Sequence, residues 1–298
     1  MFSGEAVGIM NYLFSIIFGI IQGITEFLPV SSAGHVAAIS KTMGLSYDSA
    51  LLFETVLHVG TLGAVFYYFQ KDIRKIFFEF IGIILDLVSN LYLWLHNRRA
   101  VGHEIRYGKI VDNVYRKFTV MLLVTCIPTA LIGYSARNLA VLASRSEYGT
   151  GIAFLVTSLW LLVISLSGSG GIRTPKEAGY DSSMWIGICQ GLSVFPGISR
   201  CGMTVGAGLM CGFTRRMAVK YSYIASIPAI IGALIVEIPS SSLSFEGAPG
   251  IVMLILGMLF SGITGYFLIS ITIRLVTGRH FRYFAVYCLL AGIVMLLL

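Results

Sequence analysis

From Ile251 to Ile273 the chain reads IVMLILGMLFSGITGYFLISITI, 23 residues without one charged side chain. A helix of that length crosses the hydrocarbon core of a bilayer, where every backbone polar group must find its partner inside the segment. Comparable stretches at about 51–70, 118–138, 148–167, 221–238 and 283–298 are read as further spans. With 56% hydrophobic and only 12% charged residues over 298 positions, the chain lacks the polar coat of a soluble domain. Alternating ten-residue strands are absent, which argues against an outer-membrane barrel. The first residues, MFSGEAVG, carry Glu5 and no Lys or Arg, so they do not read as a secretory signal. The five cysteines form no CxxC pair and lie in or near apolar segments, as small buried hydrophobes do.

The 21 basic and 14 acidic side chains leave a net charge of +7. In a membrane protein this excess points to cytoplasmic loops facing anionic lipid rather than to nucleic acid. Lys71, Arg74 and Lys75 follow the 51–70 span; Arg98, Arg99, Arg106, Lys109, Arg116 and Lys117 precede the 118–138 span. Both clusters stay inside only if 76–95 lies along the cytoplasmic interface, where Glu79, Asp86 and Trp94 are at home. Arg173, Lys176, Arg215, Arg216 and Lys220 mark two further inner loops, so 185–213 should dip into the membrane and return. Span 221–238 then runs out to a loop with Glu246, 251–273 returns to Arg274, Arg279 and Arg282, and 283–298 runs out.

Two stretches are apolar yet full of Gly, Ser and Pro: 8–45 and 185–213. They contain a repeat. GIIQGITEFLPVSSAGH (19–35) aligns without gaps with GICQGLSVFPGISRCGM (187–203), with seven identities in seventeen at an offset of 168. At the same offset a second apolar segment follows each copy. The charge trace runs span 51–70 inward and its mate 221–238 outward, so the two halves are expected to be inverted. Inverted repeats with broken helices gather their irregular backbone near the bilayer middle. The expected fold is an all-α integral membrane protein, a polytopic helical bundle with two inverted-topology repeats and two broken re-entrant segments. Residues 1–298 form one membrane domain, with a first repeat at about 8–138, a connecting helix at about 148–167 and a second repeat at about 185–298.

The polar residues of the two copies make a set. Gln22 and Glu26, four apart, share a helix face; Pro29 breaks that helix, and Ser31, Ser32 and His35 follow. A carboxylate inside a membrane is costly and marks function, unless it merely reaches water at the outer interface. The second copy has no Glu but carries Arg200, whose fork of donors fits phosphate oxygens. The alternative is an arginine that pairs with Glu26 across the halves. Gly197 and Gly202 allow close backbone approach, and a helix starting after the break points N–H groups at an anion. Gln22 and Glu26 offer hard oxygens to Mg²⁺ or Ca²⁺. Ser32 or His35 is a candidate nucleophile, and His35 also a candidate acid or base. Glu54 and His58 sit either behind this site or at the interface.

These residues resemble a known family. QGITEFLPVSSAGH and PGISRCG are similar to the two signature motifs of bacterial undecaprenyl-diphosphate phosphatases of the bacitracin-resistance type: (E/Q)-x-x-x-E followed by P-V-S-S-x-G-H, and P-G-x-S-R-x-G. The likeness includes the FE-x-x-x-x-x-G step at 53–60. It implies hydrolysis of undecaprenyl diphosphate to undecaprenyl phosphate and inorganic phosphate, which recycles the carrier for cell-wall synthesis and confers bacitracin resistance. It implies a divalent cation, and a multi-pass protein of the plasma membrane with its active site on the outer side. Glu26 and Gln22 would sit at the metal–diphosphate site, Ser32 and His35 would serve catalysis, and Ser199 and Arg200 would hold phosphate, with Ser31 and Gly202 beside them. Gln22 replaces a frequent Glu, Ala33 a frequent Thr and Cys201 a common Ser. The signatures of the other class of membrane lipid phosphatase are missing. The expected partners are undecaprenyl diphosphate and membrane lipid, with a homodimer one compatible assembly and no nucleic acid. The competing reading is a polyprenyl-phosphate transporter, which needs Arg200 for its anionic cargo but no nucleophile.

Overall fold

The computed structural model describes residues 4–42, 47–99, 105–168, 170–237, 248–278 and 281–297. Glu246 and Arg279, which the charge trace used, lie outside them. The described residues form eleven helices and no strand: α1 (Gly4–Phe27), α2 (Ser32–Thr42), α3 (Tyr47–Tyr68), α4 (Gln70–Arg99), α5 (Val114–Arg145), α6 (Gly149–Leu166), α7 (Tyr180–Leu192), α8 (Arg200–Met210), α9 (Arg215–Glu237), α10 (Ala248–Thr277) and α11 (Phe281–Leu297). Among them, α4, α5, α6, α9 and α10 are long and apolar enough to cross a bilayer. The all-α polytopic membrane bundle expected from the apolar stretches is therefore present.

Several helices outrun the apolar stretches that announce them. Helix α5 has 32 residues and takes in Pro128; α9 takes in Pro228. Arg215, Arg216 and Lys220, read from the sequence as a loop, form the first turns of α9. Charge marks where a chain leaves lipid, not where its helix ends, so hydropathy underestimates such helices.

Small residues set the helix spacing. A Cβ on Gly60 of α3 would stand 2.1 Å from the Met258 carbonyl oxygen of α10, and one on Gly23 of α1 would stand 2.6 Å from that of Ser261. Lipid tails are as apolar as Leu, so membrane helices associate by close packing, and small residues let backbones touch. Helix α10 lies between α1 and α3 in this way, while α7 rests on α5 and α6 on α11.

Both polar stretches are broken helices. The chain leaves α1 at Phe27 and enters α2 at Ser32; it leaves α7 at Leu192 and enters α8 at Arg200. The 168-residue step carries Ser32 onto Arg200 and Thr42 onto Met210, so α2 and α8 have the same bounds, and it carries the start of α3 onto the start of α9. Each break needs one left-handed residue: Ser31 in the first, with φ 66°, and Gly197 in the second, with φ 106°. Only Gly adopts this conformation freely, so Ser31 is a strained position held by its surroundings.

Helix α4 stands apart from the bundle and presents Phe77, Phe78, Leu85, Val88 and Leu91 to the outside. Residues 105–113 return along it without helix. Asn97 exchanges two hydrogen bonds with Ile105, and Asn90 two with Gly108. Arg116 at the start of α5 reaches both Glu79 and Asp86. An irregular backbone carrying Arg106 and Lys109 has no place against lipid tails.

Candidate active site

The two breaks meet in the interior. Gly197 N–H donates to Ser31 Oγ at 3.1 Å, and the Cys201 thiol donates to the Phe27 carbonyl. Tyr223 donates to the same carbonyl at 2.8 Å. Thr157 of α6 braces the second break, donating to the Gly197 carbonyl at 2.8 Å while accepting from Ser199 N–H at 3.1 Å. Cys201, a departure from the commoner Ser, still supplies a donor there.

At this junction Glu26 is the hub. Its side chain is 3% exposed, which rules out a glutamate merely reaching water. Arg200 Nη2 donates to Oε1 at 2.6 Å. Oε2 accepts from Ser32 Oγ in a short contact and from Gln22 Nε2 at 3.2 Å, and His58 Nε2 lies 3.4 Å away. A buried carboxylate is tolerable only with such a set of partners. Two further atoms decide what the group can do. Gln22 Oε1 and Arg200 Nη1 are buried without a hydrogen-bond partner among the described residues. One is an acceptor and the other a cationic donor, and both are expensive to leave unsatisfied. They are the complement of a cation and an anion.

The sequence candidates divide in space. Gln22, Glu26, Ser32 and Arg200 converge. One nitrogen of the arginine pairs with Glu26 across the halves, and the other has no hydrogen-bond partner among the described residues. Ser31 and Ser199 have structural duties that repeat at the same offset: Ser31 Oγ accepts from Gly34 N–H at 3.3 Å, and Ser199 Oγ from Gly202 N–H at 3.0 Å. The Gly202 N–H is thus spent on the cap of α8, and its carbonyl accepts from Trp160. His35 turns elsewhere: Nδ1 lies 2.6 Å from the Ser31 carbonyl and Nε2 2.6 Å from the Tyr287 hydroxyl.

Two further residues stand near the site, one weighed from the sequence as lying behind it or at the interface and one not. His58 had a signal, since its spacing of four from Glu54 was visible; Nδ1 bonds the Glu54 carbonyl at 2.8 Å, which aims Nε2 at Glu26. Tyr287 had none, lying 252 residues from His35 in an ordinary apolar helix.

Comparison with known proteins agrees with this picture. The family described as bacitracin resistance protein BacA matches residues 15–294. A protein of Methanosphaera stadtmanae named undecaprenyl-diphosphatase is 35% identical over 289 residues, covering 97% of this chain and 98% of that protein. One of the same name from Alkaliphilus metalliredigens is 36% identical over 283 residues, covering 95% and 97%. One from Corynebacterium glutamicum is 30% identical over 295 residues, covering 97% and 91%. On matches that span the whole bundle and both breaks, the chain belongs to the bacitracin resistance protein BacA family.

Proposed function

We propose that this protein hydrolyses undecaprenyl diphosphate to undecaprenyl phosphate and inorganic phosphate. The observation that carries the reading is a single buried carboxylate, Glu26, shared between the Ser32 hydroxyl of one half and the Arg200 guanidinium of the other. A transporter of lipid phosphates would use the arginine, but would gain nothing from a hydroxyl bonded to that carboxylate.

In this reading Ser32 Oγ attacks the terminal phosphorus and Glu26 takes its proton. The bond from that phosphorus to the bridging oxygen breaks, and undecaprenyl phosphate leaves with that oxygen. Glu26 passes that proton to the departing undecaprenyl phosphate; water then breaks the bond between Ser32 Oγ and phosphorus, giving a proton to Glu26 that returns to Ser32 Oγ, so the site ends as it began. The open edge of Arg200, with Nη1 unpartnered, holds phosphoryl oxygens as their charge shifts. His58 keeps Glu26 in place.

The charges favour a cation. Glu26 and Arg200 offset one another, which leaves the diphosphate's own charge to be met. Among the described residues no cluster of three His, Cys, Asp or Glu forms a protein cage. A Mg²⁺- or Ca²⁺-like ion that relies on phosphate oxygens and water needs only one or two protein oxygens. Gln22 Oε1, an orphaned acceptor, and Glu26 fit that need and would hold it. When bound, such an ion supplies Lewis-acid neutralisation of the diphosphate.

The basic loops support a placement in the plasma membrane with inverted halves and the site toward the outer side. They also support α4 lying along the cytoplasmic interface, its apolar face in lipid and the 105–113 segment in water. The protein would thereby recycle the lipid carrier of cell-wall synthesis and lower bacitracin sensitivity. The test is phosphate release from undecaprenyl diphosphate by purified protein in detergent, with and without Mg²⁺ or Ca²⁺, beside Glu26→Ala and Arg200→Ala. Cation-dependent release that both variants lose is expected. No release by a folded, metal-supplied wild type would overturn the proposal in favour of lipid transport.

A further inference from the structure

His35 is held on several sides. A carbonyl oxygen only accepts, so the 2.6 Å contact with Ser31 places the imidazole proton on Nδ1. In the neutral ring Nε2 is then an acceptor, and the Tyr287 hydroxyl at 2.6 Å donates to it. The His35 ring lies nearly parallel to that of Tyr287, at 9° and 5.7 Å, and meets Phe154 edge-on at 5.3 Å. Phe154 itself is buried, and a Cβ on Gly34 would stand 2.6 Å from its ring. The next residue of α11, Cys288, is buried with its thiol toward the Pro29 carbonyl at 3.7 Å. Helix α11 therefore seats two consecutive residues against the first break.

We propose that Tyr287 is a positioning residue for His35: its hydroxyl fixes the imidazole as the Nδ1–H tautomer and turns Nε2 toward α11, away from the Ser32–Glu26 pair. One consequence is a division of labour. Ser32 and Glu26 act at the attacked phosphorus, and His35, whose one basic nitrogen accepts from the half-exposed Tyr287, takes part in the reaction through that hydroxyl. This part rests on the phosphatase reading. The hold of Tyr287 on His35 does not.

The test uses full-length protein in detergent, labelled with ¹⁵N-histidine, as wild type, Tyr287→Phe and Tyr287→Ala, with His35→Gln to assign the signals. In the wild type His35 should show a protonated Nδ1 and a hydrogen-bonded, unprotonated Nε2. Tyr287→Phe keeps the ring but loses the hydroxyl: the Nε2 signal should move, and kcat should fall roughly 10-fold with KM and melting temperature unchanged. Unchanged His35 signals or an unchanged kcat in Tyr287→Phe overturns the proposal, and so does an effect confined to Tyr287→Ala, which would reduce Tyr287 to packing. The nitrogen signals need no substrate. A wild type that releases no phosphate therefore sinks the phosphatase reading, while the signals still uphold or overturn the hold on His35.

Discussion

Arg200 Nη2 stands 2.6 Å from Glu26 Oε1, although 174 residues separate them in the chain. Their side chains are 16% and 3% exposed, so the pair is largely removed from water. It is the one ion pair that joins the two broken segments among the described residues. It ties the two halves together at the candidate site.

Removing one member strands the other as a buried charge. Arg200→Ala should cost about 3–5 kcal/mol of stability, and Glu26→Gln with Arg200→Gln together should cost less than the sum of the single changes. Thermal unfolding in detergent measures the coupling. Phosphate release should be lost in all four variants. Additive melting shifts would mean that the pair contributes nothing beyond its two members.

Ser32→Ala should leave the fold intact and lower kcat by about 10²- to 10⁴-fold, with little change in KM. Single-turnover release of phosphate is the measurement. A variant that keeps wild-type kcat would remove Ser32 from the reaction and point to water as the direct nucleophile.

Gln22 presents an unpartnered oxygen beside Glu26. Gln22→Ala should raise the Mg²⁺ concentration for half-maximal activity by about 10-fold, the lower end of what metal-site partners are worth. Gln22→Glu should lower it, by adding charge to the ligand set. A titration of activity against Mg²⁺ decides between these outcomes and no effect.

Gly60 allows α3 to touch α10, with the Met258 carbonyl 2.1 Å from where a Cβ would stand. Gly60→Val should destabilise by about 3 kcal/mol or more, since backbone cannot yield as a side chain does. Gly63, three residues on, faces open space, and Gly63→Ala should melt like the wild type. Equal melting temperatures for the two variants would contradict the close packing of these helices.

If α4 lies along the cytoplasmic interface, cysteines placed at Arg74 and at Arg98 in a cysteine-free background should both react with a membrane-impermeant thiol reagent from the cytoplasmic side alone. Reaction of either from the outer side would make α4 a span.

The membrane class, the two breaks and the quartet Gln22, Glu26, Ser32 and Arg200 were legible in the sequence. They rest on local physics: charge is excluded from lipid, proline and glycine interrupt helices, and a repeat at one fixed offset marks two equivalent segments. The lengths of α5 and α9 were not legible, because a helix continues into the headgroup region after its hydropathy has ended. Nor was the duty of Ser31 and Ser199, since a hydroxyl that caps a helix and one that binds phosphate look alike in sequence. Only the tertiary structure could turn His35 away from Glu26 and bring His58 to it. A ring nitrogen's partner depends on which helix packs opposite, and α11 is seated on α6 by the close approach of Gly292 to Gly151, far away in the chain. By itself, then, the sequence determined which polar groups had to be buried in a membrane; the packing of the helices decided which of them share a carboxylate.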